Sequence, residues 1–188
     1  MDSEARIAKL EKQLQYLMDR TAILDCIARN ARGCDRHDSE VLSSSYHPDA
    51  IDEHGAVVSP GPKYCEVANK THAASSQQNM HNITTHLCEI DGDVAHAESY
   101  VIGMFVDREG KVGRVIAGRY IDRLERRDGE WKIALRRSTC DVVIVGDASV
   151  VNAPYFKDMG YLKGLRDKND ASYQRPLTLE NTPPGHRW

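Results

Sequence analysis

Met80-His81-Asn82-Ile83-Thr84-Thr85-His86-Leu87-Cys88-Glu89-Ile90, followed by Asp91-Gly92-Asp93, is the stretch whose reading decides the fold. It reads as the first long strand of a curved antiparallel sheet, closed by a tight turn, with His81 near its start. Asp-Gly between alternating runs is the strongest short-range hairpin signal. Two further turns follow, at Arg108-Glu109-Gly110-Lys111 and at Asp128-Gly129. Four strands are therefore expected, over 79–90, 93–106, 112–127 and 130–145. Their β-branched and aromatic content supports the assignment.

Pairing these hairpins in ideal register sets His81 opposite Ile102, Ile83 opposite Tyr100, Tyr100 against Gly118 and Tyr120 against Arg137. One face then collects His81, Ile83, Leu87, Tyr100, Ile102, Met104, Ile116, Tyr120, Trp131, Ile133, Leu135 and Arg137. The opposite face carries Asn82, Thr84, Ser99, Arg119, Arg123, Lys132 and Arg136. The first is apolar and is the face that helices must cover. His86, five residues after His81, is expected to point away from it. A single bulge would flip everything beyond it.

Upstream, Ile7, Leu10, Leu14, Leu17, Leu24 and Ala28 recur at three- and four-residue steps, with Thr21 the weak member of the stripe. This spacing predicts one long helix from Ser3 to about Ala31, with Gly33 as its stop. The period is close to a heptad, so coiled-coil pairing competes with packing on the sheet; packing on the sheet is the expectation. A short helix from about Ser39 to Tyr46, a brief strand over 50–53, a loop at 58–62 and a third helix over 63–77 complete the first half. Beyond 145 the sequence is mixed, with a short helix expected within 153–165 and an extended or disordered end over 175–186.

The chain has 188 residues, 40% of them hydrophobic and 28% charged, as in an ordinary globular domain. A net charge of −3 gives no electrostatic footprint for nucleic acid. No run of residues is apolar enough to span a membrane, and the start of the chain lacks an apolar signal region. The five cysteines are widely spaced and suit reduced thiols, so a cytoplasmic location is expected. The histidines and cysteines show no metal-ligand spacing, and neither metal nor cofactor is expected.

An α+β domain of helices on a curved meander has an open end suited to a small molecule. Few titratable groups enter its interior. His81 comes from the sheet and Asp35, in Gly33-Cys34-Asp35-Arg36-His37-Asp38, from the end of the first helix. A buried histidine beside a carboxylate is held in one tautomer, and its other nitrogen serves as a base near neutral pH. Tyr100, Tyr120 and one arginine are candidates to polarise a leaving or carbonyl oxygen. Each also has a plain structural reading: a core histidine, a helix-end carboxylate, packing tyrosines.

Several short motifs occur together: Arg32-Gly33-Cys34-Asp35-Arg36-His37-Asp38, Tyr46-His47-Pro48-Asp49-Ala50, His81-x-Ile83 leading into Glu89-Ile90-Asp91-Gly92-Asp93, and Gly118-Arg119-Tyr120-Ile121-Asp122-Arg123-Leu124 through Trp131-Lys132-Ile133-Ala134. In this order, over about residues 5–145, they resemble the SnoaL-like branch of the NTF2-like superfamily. Within it the nearest group holds scytalone dehydratase, bile-acid 7α-dehydratase and hexachlorocyclohexane dehydrochlorinase. The resemblance implies a cone-like fold over 1–145 and a C-terminal extension, 146–188, that takes part in an oligomer interface.

It also implies a catalytic dyad of Asp35 and His81, with Tyr46, Tyr100, Tyr120 and an arginine near the substrate. Spacing from Trp131 in the family favours Arg136, whereas the ideal register turns Arg137 inward. The dehydratases of the group place a tyrosine five residues before the aspartate, where this chain has Asn30. The implied activity is that of a cofactor-independent lyase or isomerase on a small hydrophobic molecule, in a homo-oligomer, most simply a trimer. Two other functions share the fold: a non-catalytic ligand-binding domain, and a partner subunit like the β-subunit of ring-hydroxylating dioxygenases.

Overall fold

The computed structural model describes residues 3–180 and 186–188. Its elements are α1 (Ser3–Asp35), α2 (Ser39–Ser43), β1 (Tyr46–His54), β2 (Val57–Pro60), α3 (Gly61–Ser75), β3 (Ser76–Asp91), β4 (Val94–Asp107), β5 (Val112–Arg127), β6 (Glu130–Ser138), β7 (Val142–Asp147) and α4 (Pro154–Asp158). The sheet runs in the order β2-β1-β6-β5-β4-β3, and β7 pairs with the first half of β5. All contacts are antiparallel except β1 on β6. The helices lie against one face of this curved, unclosed sheet, which is the expected α+β cone. No described helix is long and apolar enough to cross a membrane.

The first helix runs past its expected stop. Gly33 lies inside α1, where an added Cβ would sit 2.5 Å from the backbone nitrogen of Leu42; its role is to let α2 approach. The chain leaves the helix at His37, with a φ of 49°. There Asp38 N–H donates to Gly33 O at 2.9 Å and His37 N–H to Cys34 O at 3.4 Å, satisfying the last carbonyls. Asp38 then caps α2, accepting from Val41 N–H at 3.3 Å.

The expectation that the Ile7–Leu24 stripe packs on the sheet is overturned. The residues of α1 that go inward are Asp19, Ile23, Cys26, Ile27, Asn30, Ala31 and Cys34, one helix face away. Further on, α2 stops at Ser43 because the chain turns extended at Tyr46: β1 is nine residues long, not four, and lies along β6. The segment expected as a loop forms β2, and α3 starts directly after Pro60 with Pro62 in its first turn.

Strand pairing departs from ideal register in ways that decide the site. The first hairpin turns at Gly92-Asp93, since Asp91 pairs with Val94, and β3 is bulged between Ile83 and His86. His81 therefore faces Gly103, and Asn82 faces Ile102. In β4 the inward residues become Ala95, Ala97, Ser99, Val101 and Gly103, while Leu87, Tyr100, Ile102 and Met104 stand on the outer face. The same bulge brings His86 inward, where its Nδ1 meets Ser99 Oγ at 2.9 Å. The unbroken β4–β5 pairing, set one residue off the expected register, keeps Ile116, Gly118 and Tyr120 in the interior.

On β6 the residue Ala134 is bulged out of pairing: Ile133 faces Leu124, but Leu135 faces Arg123 and Arg136 faces Asp122. Arg136 is thus the inward arginine, and Leu135 and Arg137 point out. Arg137 is largely exposed and pairs with Glu53 at 2.7 Å. The core under the helices comprises Ile23, Ile27, Leu42, Tyr46, Leu124, Trp131 and Ile133, with Cys26 and Cys65 among them.

The strand expected over 130–145 breaks at 139–141, where β5 passes its partner from β6 to β7. After β7 only α4 of the expected 153–165 helix forms. Residues 175–180 are irregular, and 181–185 lie outside the described residues. Gly118 marks the crossing, for a Cβ there would lie 2.0 Å from Thr139 O. Gly118→Ala is expected to lower the urea midpoint by an amount worth ~1–3 kcal/mol, as overpacking does, with an unchanged denaturant slope.

Candidate active site

Asp35 ends α1 and His81 opens the inward run of β3. His81 Nδ1–H donates to Asp35 Oδ1 at 2.7 Å, and the backbone N–H of His81 donates to Asp35 Oδ2 at 2.8 Å. A third donor, Asn79 Nδ2, reaches Asp35 Oδ1 at 3.1 Å. Both side chains of the pair are about nine-tenths buried, at 10% and 9% exposure. An ionised carboxylate only accepts, so this network assigns the proton to Nδ1 and leaves Nε2 with its lone pair free. Phe105 meets the His81 ring edge-on, at 5.6 Å between centroids. Gly103, directly across the ladder, leaves room for both rings: a Cβ there would sit 2.9 Å from Phe105 and 3.6 Å from His81.

His81 lines a cavity of about 440 Å³, mostly apolar, with Val101, Phe105, Ile116, Gly118, Tyr120 and Tyr64 among its walls. That size suits a small organic ligand. Tyr120 therefore stands in the site. Arg136 lies one layer behind it: its guanidinium sits 3.9 Å from the Tyr120 ring centre, and it is 1% exposed. Arg136 gives two hydrogen bonds to Asp122, at 2.8 and 2.7 Å, and one to Asn30 Oδ1 at 2.7 Å. Tyr46 is buried in the core, its hydroxyl donating to Asp52 at 2.6 Å. Tyr100 and Arg137, expected inside, are on the outer face because of the slips described above.

Two lining histidines escaped the sequence reading. His72, on α3, has its Nδ1 3.3 Å from Cys34 Sγ and its ring 5.7 Å from that of His81. Burial, with the nearby His81 and His37, pushes His72 down to about 4, so it is neutral. Burial holds the Cys34 thiol well above its ordinary range, so S–H donates and His72 keeps its proton on Nε2. His54, from β1, lines the same cavity, stacked on Tyr64 at 4.7 Å. Its Nδ1 lies 3.1 Å from buried Asp52 and 3.0 Å from Ser138 Oγ. No local motif announces these groups; α3 and β1 bring them in through tertiary packing.

The ligand atoms of Cys34, His72 and His81 lie within 4.8 Å of one another, a grouping able to take one soft divalent cation.

The chain beyond 160 folds back beside the dyad. Arg166 donates to Ser76 O at 2.8 Å, to His72 O at 3.1 Å and to Asn79 Oδ1 at 3.3 Å. Tyr173 donates to Asp38 at 2.6 Å, Lys168 pairs with the same carboxylate, and Arg36 pairs with Asp170 at 3.2 Å.

A family model for the SnoaL-like domain matches residues 15–137. The chain belongs to the SnoaL-like family. Its fold is that of the NTF2-like superfamily. A search of curated proteins finds no match. Among solved structures, a type 2 hexachlorocyclohexane dehydrochlorinase is similar at 25% identity and a TM-score of 0.66, over 71% of this chain and 93% of that one. A function-unknown protein from Mycobacterium tuberculosis is 27% identical with a TM-score of 0.60, over 68% and 74%. A type 3 dehydrochlorinase from Novosphingobium barchaimii, 24% identical over 71% and 94% with a TM-score of 0.66, shares the fold.

The depressed His72 gives the site a pH signature. Below about 6.5 the unfolded chain takes up a proton that folded His72 refuses until about 4, so stability falls on acidification across that window. His72→Gln is expected to flatten this dependence, measured as urea midpoints at several pH values.

Proposed function

We propose that the chain is a cofactor-independent lyase, of dehydratase or dehydrohalogenase type, or an isomerase, acting on a small hydrophobic molecule. The observation that carries this reading is the 2.7 Å bond from His81 Nδ1 to Asp35, with the ring on the wall of a mostly apolar cavity. The likeness to dehydrochlorinases supports it. His81 Nε2 takes a proton from carbon, and the C–H electron pair becomes a new double bond. In a lyase the leaving group departs from the adjacent carbon with its own pair. In an isomerase the proton returns at another carbon. Asp35 holds the ring and stabilises the imidazolium.

The remaining groups have supporting parts. His72, neutral with Nε2–H, and the Tyr120 hydroxyl are donors for an oxygen that gains charge. His54, held through Nδ1 by Asp52, fixes the polar part of the cavity wall beside Tyr64. Arg136 acts at a distance, through the Tyr120 ring it backs. Asn30 stands where the related dehydratases have a tyrosine, but it is spent on Arg136 and on Ser45 Oγ, 2.8 Å away. A phenol at that position therefore has no part here. A binding domain would leave Asp35 and His81 without need of contact, which is why the dyad favours catalysis.

Proton abstraction leaves a trace even without turnover to product. In deuterated water, a panel of small hydrophobic β-hydroxy, β-halo and keto compounds is expected to exchange an activated C–H in the presence of the protein, read by NMR. His81→Ala and Asp35→Asn should each slow this by ~10²–10⁴, the usual worth of a positioned base. The double variant should be little worse than either, since the two act as a unit. Exchange at the native rate in His81→Ala would remove the base assignment.

A further inference from the structure

One unexplained surface of this molecule is the free face of α1. Residues 3–18 of the helix are all exposed, and its first buried side chain is Asp19. A free helix of that length is marginal in water unless something packs on it. Along it Ile7, Leu10, Leu14, Leu17 and Leu24 stand 39–60% exposed, with Met18 and Tyr16 beside them. Single exposed leucines are ordinary, but a continuous apolar stripe marks an interaction surface.

The stripe has heptad spacing. Ile7, Leu14 and Thr21 take the first core position of three successive heptads, and Leu10, Leu17 and Leu24 the second. The face that packs on the sheet, through Ile23, Cys26, Ile27 and Asn30, is roughly 160° away at ~100° per residue. The domain therefore does not obstruct a partner along the seam. The sheet uses one side of the helix, and the heptad occupies the other.

Flanking charges choose the partner and its direction. Arg6, Gln13 and Arg20 precede the heptads on one side of the seam, and Glu11, Met18 and Asp25 follow on the other. In a parallel, in-register pair of identical helices Arg6 meets Glu11 of the second copy, and Arg20 meets its Asp25. An antiparallel pair would instead set Arg6 against Arg20 and Glu11 against Asp25. Leucine fills every second core position, and the β-branched Ile7 and Thr21 fill two of the three first ones, a pattern that suits two strands. Arg20 also holds Cys88 O at 3.3 Å, where α1 first meets β3, so the seam begins outside the domain and ends on it.

We infer that the free face of α1 binds the same face of a second copy of this chain, as a parallel two-stranded coiled coil. Light scattering of the full chain at micromolar concentration should give twice its 21.1 kDa, and Leu10→Glu combined with Leu17→Glu should halve that mass without altering the sheet signal in circular dichroism. Orientation is tested by cross-linking in a chain whose exposed thiol is first removed by Cys140→Ser. Leu10→Cys should then oxidise to a disulfide-linked dimer, whereas a mixture of Leu10→Cys and Thr21→Cys chains should form no mixed dimer above background. A single-chain mass for the unaltered protein, or a dimer indifferent to the double glutamate change, would overturn the inference. So would preferential joining of position 10 to position 21.

Discussion

A guanidinium taken wholly out of water must be met by a carboxylate and by further acceptors, or the fold does not form around it. Arg136 meets that demand with both oxygens of Asp122 and the carbonyl of Asn30, and through Asn30 with Ser45. These bonds join β6, β5, α1 and the entry to β1 at one point. Removing a single partner of such a buried pair typically costs about 3–5 kcal/mol, because the other charge is left uncompensated. The Tyr120 ring lies against the guanidinium, so the wall of the cavity is fixed by the same knot. A comparable tie sits toward the other end of the helix–sheet contact. Asp19 there accepts from Trp131 at 2.9 Å and from Arg126 at 2.8 Å. Between these two ties α1 has little freedom to shift, and its last residue, Asp35, arrives at His81 in register.

The dyad gains from this rigidity. Asp35 uses one oxygen for the His81 ring and the other for the His81 backbone, so a single carboxylate fixes both the strand and the side chain it carries. A ring gripped in this way has one tautomer and one orientation before any ligand arrives, which is the kind of preorganisation that proton abstraction rewards.

The strands and hairpins were legible because turn chemistry and alternation are local: Gly129 does sit at a positive φ, as does Gly92. The meeting of Asp35 and His81 was also legible, since motif order placed each at the end of an element facing the same interior. Register was not. Ala134 is an unremarkable residue in a strand, yet its bulge exchanges Arg136 for Arg137; nothing in Leu-Arg-Arg announces it, and only the placing of both Ile133 and Arg136 inward requires it. Tyr100 was lost by the same kind of slip, the bulge on β3 between Ile83 and His86. The α1 stripe misled for a different reason. Its pattern is genuine, but a second, less obvious set containing Asp19, Asn30 and two cysteines is what the sheet receives. Polar residues that are buried because they are bonded do not look like a core in sequence.

The family pattern ends at residue 137, whereas a hydrogen-bond chain that reaches the Asp35–His81 pair begins at Arg166 and runs through Asn79. The pair and part of its support thus sit in separate stretches of one polypeptide, one inside the family pattern and one beyond it. A chain cut after residue 137 would keep Asp35 and His81 but lose the guanidinium that holds Asn79 Oδ1, leaving Asn79 freer to turn away from the carboxylate.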